Sequence, residues 1–307
     1  MMASSIHRVL VVYKKSAFQI HVLERKDPHL IRLLRVRQPD VRDMRRGHAI
    51  HEAALDAVVG TLEDLRLRHD LVYRANLHTT ARYDLIIAVG GDGTFLQAAH
   101  IAGRTPILGV NSDPSRSEAV FCAATGETIG RVLRRILSGK TKPLTLHRLQ
   151  VRLNARVTAP LALNDVLIAH DNPATMSRYR LVIGGRREDQ KSSGLWIAAS
   201  AGSSSAIFAA GGARLPWSAK RFQYRPRELY HGRLHRYRLT GGVLAMGHTV
   251  ELTWLMREGS VFIDGPHVRH RLQFGDRLSI GLSATQPLRV LGVRGPLADS
   301  RRKTQDS

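Results

Sequence analysis

The chain has little cysteine, little acid and no long apolar run. Its 307 residues contain one cysteine, Cys122, which excludes an internal disulfide and a cysteine-rich metal site. No apolar segment approaches the roughly 20 residues a membrane-spanning helix needs, since the candidate from Trp196 to Gly212 is broken by serines and glycines. Aromatic residues make up 6% of the sequence, and no RNP motif, zinc finger or recognition helix accompanies them. Asp and Glu number 25 against 47 Lys and Arg, a formal charge of +22. That surplus favours an anionic partner, but the arginines are spread along the chain and fix only the partner's sign. The densest basic stretch, Lys220 to Arg238, is interleaved with Phe222, Tyr224, Tyr230 and Tyr237 and reads as a solvated loop or an oligomer contact. The start, Met1 to Arg8, runs directly into the strand-like Val9 to Tyr13 and leaves no space for a leader. The expectation is a cytoplasmic protein with neither a membrane nor a nucleic-acid partner.

Two textures divide what is present. Up to about Leu144, strand-like and helix-like segments alternate: Val9 to Tyr13, a helix over 49–67, Asp84 to Val89, Pro106 to Val110, and an amphipathic stretch from Glu127 to Leu137. This predicts an α/β, Rossmann-like domain over 1–144 with a largely parallel sheet. From 145 to 298, short β-rich runs separated by Gly, Asp and Pro turns predict a β-rich, β-sandwich-like domain whose end is a candidate to return to the first. Those runs include Tyr237 to Leu239. The remainder, 299–307, reads as a polar disordered tail.

The chemistry begins at Gly90-Gly91-Asp92-Gly93-Thr94, which follows a buried-strand pattern and precedes the helix-like Phe95 to His100. Asp92 is thereby presented at the carboxyl end of a strand, where parallel sheets bind ligands, and the glycines let backbone N–H groups approach phosphate oxygens. Gly109 to Glu118, with Asn111 and Arg116, leaves the next strand at the same edge. Asn164-Asp165 offers an amide beside a carboxylate, and Lys191 to Trp196 leads into a small-residue loop, Ala201 to Ser205, before a helix-like Ala206 to Ala210. Asp264-Gly265 is a turn between strands. Each segment alone also fits a plain turn or flexible loop. Two decoys fail on spacing. Ser138-Gly139-Lys140-Thr141 lacks the earlier glycine of a phosphate loop because Arg134 stands there, and His48, His51 and Glu52 lack a second zinc histidine because Leu55 takes its place.

In this order the segments resemble the NAD kinase family, whose members show a GGDGT loop, a GxN segment, an Asn-Glu pair, a DG-then-TPTGSTAY loop and a late Asp-Gly turn. The resemblance runs from about Asp84 to Ile280. The chain departs from the pattern at Asp165 in place of Glu, at Ser193 in place of Asp, and at Ala206 in place of Tyr, which removes a ring that could stack. Asp113 to Glu118 and Lys191 to Leu195 are similar to the mitochondrial-type branch. The glycine loop by itself also fits lipid kinases of the diacylglycerol and sphingosine type, and a catalytically degenerate nucleotide-binding protein is the other alternative.

The resemblance implies phosphoryl transfer from ATP, or inorganic polyphosphate, to the 2′-hydroxyl of the adenosine ribose of NAD(H), giving NADP(H). It implies Mg²⁺ with the donor, no dedicated metal ligands, and a homodimer or larger homo-oligomer. Asp92 would hold and deprotonate the hydroxyl, with Gly90, Gly91, Gly93 and Thr94 at the phosphates and Asn111 bridging the loops. Asn164 and Asp165 would hold the second ribose or the nicotinamide end. Ser193, Gly202, Ser203, Ser204 and Ser205 complete the cofactor-binding set. Arg116 is either a cation near the transferred group or an ion-pair partner of Asp113 or Glu118.

Overall fold

Residues 6–36, 38–78, 82–233 and 236–293 are described by the computed structural model. The chain divides into a first unit, formed by residues through Leu144 with the segment from Arg289, and a second, Thr145–Leu288. The tail expected over 299–307 lies outside the described residues.

The first unit is built on parallel strands β1 (Arg8–Tyr13), β2 (Arg68–Tyr73), β3 (Leu85–Gly90), β4 (Ile107–Asn111) and β5 (Cys122–Thr125). Their order is β2-β1-β3-β4, with β5 and the strand Leu288–Val290 sharing the far side of β4. Every residue of β3 and β4 is buried, as expected of strands covered on both faces by helices. Those helices are α1 (Pro28–Arg35), α2 (Pro39–Asp64), α3 (Asp92–Ile101) and α4 (Ile129–Leu137). Helix α2 begins well before the apolar periodicity does. Pro39 at its first position suits a helix start, but the following turns bury only Val41 before His51, so their sequence carries no helical stripe.

The second unit is a sandwich of two antiparallel sheets, each six-stranded among the described residues. One has at its centre Val250–Trp254 beside Arg277–Leu282, and the other Asp165–Ala169 between Gly194–Ala199 and Gly259–Ile263. Alternate residues of these strands, such as Tyr179, Leu181, Leu252, Trp254, Ile168 and Ile197, form one buried apolar cluster. The expected strand over Tyr237 to Leu239 is not formed; the edge is Gly242–Ala245, pairing with Arg221–Arg227. Arg186–Ser192 is an edge strand despite its charge, which suits a position with one side open to water. Among the described residues, no helix is long and apolar enough to cross a membrane.

Candidate functional site

Parallel strands end on one side of their sheet, so the first unit gathers the residues after β1, β2, β3 and β4 at a single carboxyl edge. The glycine loop lies there as the turn into α3, with Gly91 preceding the helix and Asp92 as its first residue. A Cβ on Gly90 would overlap the Thr94 hydroxyl, so this glycine is required by close packing. Thr94 itself is buried, its N–H donates to Gly91 O at 3.0 Å and its Oγ1 accepts from Arg74 Nη1 at 3.4 Å. Thr94 therefore shapes the loop and leaves Gly91 and Gly93 nearer to any bound phosphate.

Asp92 is fixed by the loop that follows β4. Its Oδ2 accepts the Val120 N–H at 3.1 Å and its Oδ1 the Phe121 N–H at 3.0 Å. Phe121 is in turn stacked on Phe95, one turn along α3, with centroids 5.1 Å apart. Burial pushes the Asp92 carboxyl above its ordinary value and the charge of Glu118 adds to this, while the two N–H donors oppose it. Each carboxylate oxygen keeps a second lone pair for a substrate hydroxyl.

Asn111 is occupied by its own loop: Nδ2 donates to Ser117 O at 2.8 Å and Oδ1 accepts the Asp113 N–H at 3.0 Å. Arg116 turns toward α2, with its nitrogens 3.9 Å from Asp113 Oδ2 and 3.8 Å from Asp43 Oδ1. Lys14 and Arg74, the residues following β1 and β2, reach this edge as well. Burial and then the charge of Arg74 hold the Lys14 ammonium below its ordinary value, while Asp113 acts in the opposite sense. His51, on α2, donates from Nε2 to Lys14 O at 2.7 Å, and burial lowers its pKa to about 4, so it remains neutral as a tie between helix and strand end. Nothing in the local sequence marks Lys14 or Arg74; the available signal is a cation directly after a parallel strand.

In the second unit a different group assembles. Gly202 packs so tightly on Asn164 that a Cβ there would overlap the Asn164 backbone. Ser205 Oγ lies 2.8 Å from Asp165 Oδ2 and 2.6 Å from Gly202 O, and donates its single proton to one of them. The helical segment Ala206–Ala209 is a single turn with no side-chain cap, so the serine run holds Asp165 instead of capping a long helix. Ser203 is buried and bonded to Leu215, donating to its O at 3.3 Å and accepting from its N at 2.9 Å. Ser204 sits half-buried in the same loop. Asn164 Oδ1 is buried and has no hydrogen-bond partner among the described residues.

Asp264 supports this group from the turn after Gly259–Ile263. Its Oδ1 accepts the N–H of Asn164 at 2.7 Å and of Asp165 at 3.1 Å, and its Oδ2 accepts that of Leu163 at 2.8 Å. Burial, reinforced by the Asp264 charge and opposed by Ser205, pushes the Asp165 carboxyl up to about 6. Ser193 is not brought to this group. Asp165 pairs with Ala198 whereas Leu195 pairs with Ile168, which puts Ser193 at the other end of the sheet, on the order of 15 Å away. There it lines a separate cavity of about 230 Å³ with His170, Thr175 and Arg227.

A parallel α/β unit with a half-buried acid in a glycine loop at its carboxyl edge, joined in one chain to an antiparallel sandwich, places the protein among the kinases with a GGDGT loop. Comparison with known proteins narrows the class. Residues 22–141 match the family model described as the ATP-NAD kinase N-terminal domain. A probable NADH kinase of Oryza sativa subsp. japonica is 37% identical over 223 residues, covering 66% of this chain and 69% of the relative. NAD kinase 2, mitochondrial, of Rattus norvegicus is 28% identical over 247 residues, covering 64% and 58% respectively. The crystal structure of an NAD kinase from Archaeoglobus fulgidus in complex with ATP shares the fold, with a TM-score of 0.64 at 20% identity over 94% of each chain. The chain belongs to the NAD kinase family.

Proposed function

We propose that this protein phosphorylates NAD(H) at the 2′-hydroxyl of the adenosine ribose, with Asp92 as the general base. The observation that carries the assignment is the half-buried Asp92 carboxylate, raised above its ordinary pKa and fixed by the Val120 and Phe121 N–H groups between Gly91 and the exposed Gly93. The 2′-oxygen attacks the terminal phosphorus, the bond from phosphorus to the leaving phosphate oxygen breaks, and the hydroxyl proton passes to Asp92. A carboxylate of raised pKa is the better base, and a largely dissociative transition state needs the proton removed only late. In the second unit, Asn164 Oδ1 and Asp165 accept ribose hydroxyl protons, and Gly202, Ser204 and Ser205 border the dinucleotide.

Mg²⁺ neutralises the donor phosphates when bound. Among the described residues no cluster of three or more His, Cys, Asp or Glu forms a metal cage. In kinases Mg²⁺ is commonly carried by one or two carboxylates together with the substrate phosphates. The donor is ATP or polyphosphate and the acceptor NAD or NADH.

Incubation of the purified protein with NAD or NADH, Mg²⁺ and either donor is expected to yield NADP or NADPH. Asp92→Asn is expected to lower kcat by about 10²–10⁴-fold, the usual contribution of a general base, with the fold intact. Turnover within a few-fold of wild type would remove Asp92 from that role, and a phosphorylated diacylglycerol without NADP would overturn the assignment.

A further inference from the structure

The first unit's sheet has a second edge, the amino edge where β1, β2 and β3 begin, and the chemistry at Asp92 does not use it. Strand β1 separates the two edges by five residue steps, roughly 17 Å. At the amino edge lies an open cavity of about 810 Å³, within the roughly 300–1,000 Å³ range of small-molecule sites. Five of its lining residues are basic: His7, Arg8, Arg68, His69 and Arg82. The acids beside them are Asp70 and Asp84, and Leu67 is the one apolar side chain among the described residues of the lining.

Both acids are engaged within the protein. Asp70 Oδ2 accepts from Nε and Nη2 of Arg8 at 3.1 and 2.7 Å and from the Tyr83 hydroxyl at 2.8 Å. Asp84 Oδ2 accepts the N–H groups of His7 and Arg8 at 2.9 and 3.0 Å. These donors, Tyr83 and then Arg8 at the first and His7 and then Arg8 at the second, hold both carboxyls below their ordinary values. Arg8 is engaged as well, since its guanidinium also lies over the Tyr83 ring at 5.0 Å.

Arg68 and Arg82 are not engaged: both are exposed, and neither makes an ion pair or side-chain hydrogen bond with a described residue. Strand register leaves Arg68 over. Arg8 and Arg68 are partners across β1 and β2 and leave the sheet on the same face, where like charges repel. Asp70, two residues along β2, shares that face and neutralises Arg8 alone. Two free guanidinium forks, with imidazoles beside them and little apolar surface, suit phosphate oxygens and give an aromatic ring nothing to stack on.

We propose that this amino-edge cleft binds a compact anion carrying two phosphate groups, gripped by the guanidinium forks of Arg68 and Arg82 with His7 and His69 as further donors. The site is separate from the donor and acceptor sites of the kinase reading and does not depend on that reading.

The test is histidine-selective ¹⁵N NMR of the full chain, without NAD or ATP, titrated with pyrophosphate, with fructose 1,6-bisphosphate and with sulfate. His7→Gln and His69→Gln assign the two imidazole signals that report the cleft. At least one of the two diphosphate ligands is expected to move both signals with a single affinity, about 10-fold or more tighter than sulfate. Tighter binding of pyrophosphate assigns the site to an inorganic oligophosphate, and tighter binding of the bisphosphate assigns it to a phosphorylated sugar. Arg68→Ala and Arg82→Ala are each expected to weaken that binding by about 10-fold or more, the loss of one hydrogen bond to a charged group. Both are surface substitutions, so the urea midpoint and NADP formation without added anion should stay within about 2-fold of wild type. His7 and His69 signals that do not move, an affinity no better than that of sulfate, or an undiminished response in both arginine variants would overturn the proposal. A cleft response as described with no NADP formed would refute the kinase assignment and leave this site standing; NADP formed with no cleft response would do the reverse.

Discussion

Asp264→Asn isolates one carboxylate that holds three backbone N–H groups about 100 residues away in sequence. Asp264 has φ +50°, a conformation Asn tolerates, so the substitution changes the chemistry of the side chain without imposing backbone strain. An Asn oxygen can still serve Asn164 and Asp165 as a neutral acceptor, but the amide nitrogen then faces the Leu163 N–H, donor against donor. A hydrogen bond to a charged group contributes about 1.5–3 kcal/mol, and a stranded donor costs about 1–3 kcal/mol. Removal of the Asp264 charge offsets part of this by relieving Asp165. The expected destabilisation is about 2–4 kcal/mol, read from the urea midpoint at neutral pH. Two readouts separate positioning from general loss of stability. The KM for NAD should rise about 10-fold with donor KM unchanged, and the Asp165 carboxyl should titrate lower because a neighbouring negative charge is gone. A loss of less than about 0.5 kcal/mol with an unaltered KM would refute the reasoning.

The raised Asp165 pKa makes stability depend on pH. An unfolded Asp titrates near 3.9 and the folded one at about 6. Its contribution is fully present below about pH 4 and is lost as pH rises through 6, by up to about 3 kcal/mol. Comparison of wild type with Asp165→Asn in urea between pH 4 and 7 should show this slope only in the wild type, and parallel curves would disprove it. Gly202→Ala must push its Cβ away from the Asn164 backbone and is expected to cost about 1–3 kcal/mol with weaker NAD binding; a wild-type midpoint and affinity would contradict that packing. Ser193→Ala lies at the far end of its sheet from Asp165 and should leave NAD affinity within about 2-fold, which a direct titration checks.

Elements with strong local periodicity were legible in the sequence. β3 carries an unbroken apolar run that matches its complete burial, and the helix over Ala54 to Leu62 and the strand Leu149–Leu153 each carry a repeat that matches theirs. Polar elements were not. The first turns of α2 and the edge strand Arg186–Ser192 show no stripe because one side faces water. Asp27-Pro28, which caps α1 through the His29 and Leu30 N–H groups, was a readable start signal of a helix left undetected because it buries none of its residues.

The sequence by itself determined that an acid in a glycine turn ends a buried strand, that an α/β segment precedes a β-rich one, and that the ordered motifs are those of an NAD kinase. These follow from periodicity, turn chemistry and order along the chain, all of which are local or linear. Only tertiary structure decided which side chains converge. Parallel register brings Lys14, Arg74 and Ser112 to the edge that bears Asp92, antiparallel register separates Ser193 from Asp165, and Asp264 reaches back to Leu163, Asn164 and Asp165. Thr94 and Asn111, which stand out as ligand-binding types in the sequence, have protein partners: Thr94 Oγ1 accepts from Arg74, and Asn111 is bonded within its own loop. The physical reason is that a hydrogen bond depends on distance in space, and strand direction and pairing set that distance between residues far apart in the chain.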